Sequence, residues 1–118
     1  MAKDDYHVIV YQILSYLYQQ LKKGAPVDPE YLRHNGHLFE IPESYWIYVM
    51  VNLQKDGLID GITAKEKRYV DGTPHVSILN LDQCQITPRG IEYLSDNSFL
   101  QKAKEFLKDA MSMMPFSI

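Results

Sequence analysis

A single β-hairpin signal in an otherwise helix-patterned chain is the strongest restriction on the fold. The stretch "TAKEKRYVDGTPHVSILNL" has a polar outgoing arm and a turn at Asp71-Gly72-Thr73-Pro74. Its returning arm alternates β-branched and apolar residues, as an antiparallel pair requires. It follows "SYWIYVMVNLQKDGLI", where Trp46, Val49, Met50 and Leu53 recur at helical spacing and Lys55-Asp56-Gly57 supplies a stop. "LIDGI" begins the first strand and "CQIT" brings the chain back to the core. One hairpin among helices makes the class α+β.

Residues 4–23 carry Tyr6, Ile9, Val10, Ile13, Leu14, Leu17 and Leu21 on one helical face, with Asp4 and Asp5 at the start and Lys22 and Lys23 before Gly24. Asp28-Pro29 is a cap followed by a first-position proline, which predicts a short second helix over about 29–34, ended by Asn35-Gly36. Pro42 opens the third helix, which runs to about Asp56 with Gly57 as C-cap. Trp46, Val49, Met50 and Leu53 face the core; Ser44, Tyr48, Val51, Asn52 and Lys55 form the opposite face. Thr87-Pro88 starts a helix over about 88–95. Ser98 with Gln101 reads as a capping box for a last helix over about 98–113, with Phe99, Ala103, Phe106, Leu107, Ala110 and Met111 along one side. Without repeats, low-complexity tracts or a linker, residues 1–118 read as one domain.

Helix, short helix, helix, then hairpin is the order of a winged helix-turn-helix, here with a wing over about 58–86 and two additional C-terminal helices. In that arrangement the third helix can enter the major groove while the hairpin touches backbone or minor groove. The extra helices would pack behind it or mediate dimerisation.

"QITPRGIEYLSDNSFLQKAKEFLKD", together with "IPESYW" and "LQKDGLI" upstream, resembles the YjcQ family, small proteins of Gram-positive bacteria and their prophages. The resemblance covers most of the chain up to about Asp109, leaving "AMSMMPFSI" as an individual tail. It implies a winged-helix fold and a DNA-binding or regulatory role, and it carries over no catalytic residue. Its motif residues read as structural: Thr87 and Pro88 as a cap, Gly90 for close approach, Leu94 for the core.

The net charge of −3 is the wrong sign for a general polyanion binder, so any DNA contact must come from a local cluster. Nine tyrosines suit half-exposed surfaces and interfaces. A lone cysteine, Cys84, leaves no internal disulfide and reads as a small buried residue. The start "MAKDDYHV" lacks a signal-peptide pattern and "YWIYVMV" is too short to span a bilayer; a cytoplasmic protein without membrane contact is expected. His34 and His37 flank an Asn-Gly turn without zinc-finger spacing, so no metal or cofactor is expected. Phosphate-loop, nucleophile-elbow and HExxH signatures are missing, which argues against catalysis.

Two function classes remain. In the first, double-stranded DNA meets Ser44, Tyr48, Asn52 and Lys55 on the third helix, with Asn52 suited to adenine. The wing residues Lys65, Lys67, Arg68 and Tyr69 would clamp phosphates, partly offset by Glu66. Four cations neutralise about four phosphates, so useful affinity calls for a homodimer. The last helix and "MSMMPF" could supply that contact, unless the helix packs across the first helix of its own chain. In the second class, the same scaffold binds a host protein through the Tyr48-Val51 face.

Overall fold

The computed structural model describes residues 1–110; the expected contributions of Met111 and of the Met-rich tail lie outside them. Five helices and two small antiparallel sheets are described. Helix α1 spans Tyr6–Lys23, α2 Pro29–Leu32 and α3 Glu43–Lys55. Strand β1, Ile59–Asp60, pairs with β4, Gln85–Ile86, while β2, Thr63–Arg68, pairs with β3, Pro74–Leu79. Helices α4, Pro88–Asp96, and α5, Ser98–Ala110, complete the chain. This is a winged-helix arrangement.

Helix α1 is buried almost all round rather than on one face, in an unbroken run over residues 8–17, whereas Leu21 is exposed. The cause is coverage from several sides: α5, α4 and β4 all pack on it. Two of its buried polar side chains pin loops. Gln12 Nε2 donates to the Leu38 carbonyl at 2.8 Å, and the Tyr16 hydroxyl accepts from the Asp28 N–H at 2.8 Å. Helix α5 thus turns its side Leu100, Ala103 and Leu107 onto its own chain's first helix. Phe99, expected on that side, is half exposed and stacks on His7 at 4.8 Å.

Three local expectations need correction. Helix α2 stops at Leu32, because the Trp46 indole N–H donates to the Leu32 carbonyl at 2.7 Å and the chain turns there. Asn97, not Ser98, caps α5: its Oδ1 accepts from the N–H of Phe99 and Leu100. Gln101 instead donates to the Leu94 and Ser95 carbonyls, tying α5 to α4. The Asp28 and Thr87 caps form as the sequence predicts, accepting from Glu30 and Gly90 N–H.

The wing segment is also divided. Gly61, at φ +98, separates β1 from β2, so the short β1–β4 pair forms a base and only β2–β3 projects as a ribbon. A Cβ at Gly61 would stand 2.0 Å from the Gln83 carbonyl oxygen. Gly61→Ala should therefore cost at least about 2 kcal/mol, from the left-handed backbone and the clash with main chain together. Thermal unfolding would reveal it as a lower midpoint. Gly90 meets its expectation of close approach, since a Cβ there would stand 2.2 Å from the Leu58 carbonyl oxygen.

Cys84 is buried, and burial, reinforced by Asp60, pushes its thiol up from 9.0 to about 12. The folded group holds its proton where the unfolded one has lost it, so its contribution to stability is complete below about pH 9 and falls away towards pH 12. At pH 8 Ellman's reagent should label it only on unfolding.

Candidate nucleic-acid interface

The register of the ribbon sorts its charges. Thr63 opposes Leu79, Lys65 opposes Ser77 and Lys67 opposes His75, so these six residues share one face. Ala64, Glu66 and Arg68 share the other face with Ile78, Val76 and Pro74. Ile78 packs against the core, which turns this second face towards the body and leaves Lys65 and Lys67 on the outer one. Every residue of β2 is exposed.

The four expected wing residues therefore separate. Glu66 does not sit among the lysines; it lies on the other face, 3.8 Å from Arg68. Arg68 also donates to the Gly72 carbonyl at 3.3 Å, so it closes the turn. Tyr69 lies beyond β2, exposed, with its ring 5.5 Å from the His75 ring. At the tip, hydrogen bonds from Thr73 hold the Asp71 carboxyl below the usual carboxylate range. A carboxylate that stays ionised there favours the lysine face over the tip for phosphate contact.

On α3, Trp46, Val49, Met50 and Leu53 are buried as the spacing predicts. Ser44, Tyr48 and Lys55 are exposed on the far side, with Tyr48 62% accessible, and Val51 and Asn52 are half buried. Asn52 Nδ2 donates to the Tyr48 carbonyl at 2.8 Å, so bidentate pairing with adenine would first have to break that bond. The first turns of α3 border the acidic N-terminus: the Tyr45 hydroxyl donates to the Asp4 carbonyl at 2.7 Å. Burial first, then Asp4 and Asp5, push the Tyr45 hydroxyl up, and burial with Tyr93, Asp56, Tyr48 and Tyr45 does the same to Tyr6. Tyrosine hydroxyls and carboxylates thus surround this part of the helix.

Two residues that shape the candidate interface were missed in the sequence. Gln54 grips the entry to the wing, its Nε2 donating to the Ile62 carbonyl at 2.9 Å and its Oε1 accepting the Ile62 N–H at 3.1 Å. Nothing in the periodicity distinguishes it from any polar helix residue. Arg89, exposed at the start of α4, lies over the end of α3: a Cβ at Gly57 would stand 3.7 Å from its Cδ. The only hint was its basic place in "TPRG".

His34 and His37 are not convergent ligands. His34 Nδ1 lies 3.1 Å from the Ile41 carbonyl and the His37 ring packs on Tyr31. Among the described residues no group of three His, Cys, Asp or Glu side chains could hold a metal, and no helix is long and apolar enough to cross a membrane.

The chain matches the family described as YjcQ protein over residues 11–113, from within α1 to beyond Ala110. It belongs to the YjcQ family. No curated protein and no solved structure matches it. The YjcQ match takes in α3, the ribbon and α4, so every residue of the candidate interface falls within the family's span.

Proposed function

We propose that this YjcQ-family chain is a non-catalytic, cytoplasmic DNA-binding regulator of bacterial or prophage genes. The observation that carries the reading is the outer face of the ribbon, where Lys65 and Lys67 stand exposed without a carboxylate beside them on that face. Lys55 and Arg89 add two exposed cations at the end of α3. Phosphates take up the lysines, while Ser44, Tyr48 and the free oxygen of Asn52 approach base edges. Four cations per chain call for two half-sites, hence a homodimer. With the Leu100–Leu107 side of α5 used internally, Phe99 is the exposed apolar residue that this helix offers a second copy.

The test is fluorescence anisotropy on native-locus and random duplexes across a salt series. Tighter native-locus binding with a log–log slope of about −3.6 per chain supports the reading. No binding at low salt removes it.

The tyrosine-rich, acid-bordered start of α3 favours a second reading, in which the same scaffold binds a host protein. There Tyr48→Ala should weaken a defined complex by about 1–2 kcal/mol and leave the melting temperature unchanged. Isothermal titration against the purified partner reads the first effect, and a thermal melt the second.

A further inference from the structure

The inner side of the wing presents a different surface. A groove of about 410 Å³ lies between β3 and the helices α2 and α3. Five consecutive residues of β3, His75 to Leu79, line one wall; Arg33, Asn35, Glu43, Trp46 and Ile47 are among those lining the other. Among the described residues β3 pairs only with β2. Alternate N–H and C=O groups of a strand with one partner point away from it, so the free edge of β3 faces this groove. Asn35, which lines the opposite wall, forms its own antiparallel bridge with Glu40 rather than with β3.

We propose that this groove takes an extended peptide segment of a partner protein, added as a third strand on the free edge of β3. A strand edge facing helices across a groove fits main-chain pairing, the added strand turning alternate side chains to opposite sides. A β3-length occupant runs about 20 Å. Ile47 and Ile78, both half buried, offer the apolar wall. The charges select the peptide. Arg33 is already paired with Glu30 at 3.1 Å, and among the described residues the one basic side chain paired with Glu43 is His34, at 3.8 Å. Asp82 accepts from the Gln83 side-chain amide, a neutral group. The uncompensated carboxylates Glu43 and Asp82 therefore favour a segment that alternates basic with aliphatic residues. Lys65 and Lys67 do not line this groove, and the proposal does not depend on the DNA reading.

The probe is acetyl-Lys-Val-Lys-Val-Lys-amide, titrated without nucleic acid into the isotope-labelled full chain and followed by amide NMR. Expected are shifts in β3 amides and the Trp46 indole at peptide concentrations up to about 1 mM. Methylating alternate peptide nitrogens should weaken binding about tenfold or more, since it removes main-chain donors without changing charge. The Glu43→Lys, Asp82→Lys variant should lose a similar factor while its remaining spectrum stays that of the folded protein. Equal affinity of the methylated peptide would overturn strand addition. So would shifts confined to Lys65 and Lys67, the absence of any shift, or inorganic phosphate producing the same β3 shifts at lower concentration, which would make the groove a small-anion site.

Discussion

Trp46→Ala lowers the melting temperature by about 10–25 °C, the largest single-site loss of stability expected in this chain. Three effects combine. The indole is 6% exposed at the junction of α2 and α3, so its removal leaves a cavity in the core beneath the wing. Large-to-small changes of this kind cost about 3–5 kcal/mol. The indole N–H also satisfies the Leu32 carbonyl at the end of α2, a buried bond that alanine cannot replace. Finally, α2 has a single turn and little helical stability of its own, so its position rests on such tertiary contacts. Trp46→Phe separates these effects, because it keeps most of the apolar volume and loses the donor. It should cost about 1–3 kcal/mol, the cost of an unsatisfied buried carbonyl. Differential scanning calorimetry of both variants decides the matter; a phenylalanine variant as stable as wild type would show that the hydrogen bond contributes nothing.

The same tryptophan shows what the sequence could reveal. Trp46, Val49, Met50 and Leu53 could be assigned to the core because the 3.6-residue period of an amphipathic helix depends only on local spacing. The hairpin and the caps at Asp28 and Thr87 were equally legible, since turn and cap chemistry is encoded within four residues. What failed was non-local. Gln12 and Tyr16 lie outside the apolar set that the spacing marks on α1, yet both are buried, since α4, α5 and β4 all pack on this helix and the side chains bond to loop groups of Leu38 and Asp28. Gln101 fits a capping box with Ser98 by spacing, but the neighbouring Asn97 captures the N–H groups and frees Gln101 to reach α4.

The candidate interface divides along the same line. Lys65 and Lys67 were identifiable from strand alternation, and their spacing of two already implied a common face. That Glu66 belongs to the opposite face follows from that alternation too, although charge counting along the sequence had set it against the lysines. Arg68 could not be placed correctly without the turn, where it is held by Gly72 and Glu66. Arg89 could not be placed at all, because its position over Gly57 depends on how α4 docks, some thirty residues after α3 begins its stop signal.

The sharpest functional consequence concerns those two lysines. In the Lys65→Glu, Lys67→Glu variant, DNA affinity at about 0.1 M salt should fall about a hundredfold, and the salt dependence should flatten by about two units of slope. Each lysine–phosphate contact releases a counterion, worth roughly a factor of eight at that ionic strength, and reversal adds repulsion. Both side chains are exposed and neither forms an ion pair among the described residues, so the fold should survive; circular dichroism and the melting temperature are expected to stay at wild-type values. Glu66→Lys is the informative counterpart. It adds positive charge to the same strand but on the body-facing side, and it releases Arg68 from its carboxylate. If the outer face makes the contacts, Glu66→Lys changes affinity by less than about threefold, the scale of a screened charge roughly one Debye length away. If DNA instead senses only total charge, Glu66→Lys will strengthen binding as much as the double reversal weakens it per unit charge. That symmetry would show a diffuse electrostatic association and remove the ribbon's outer face as the interface.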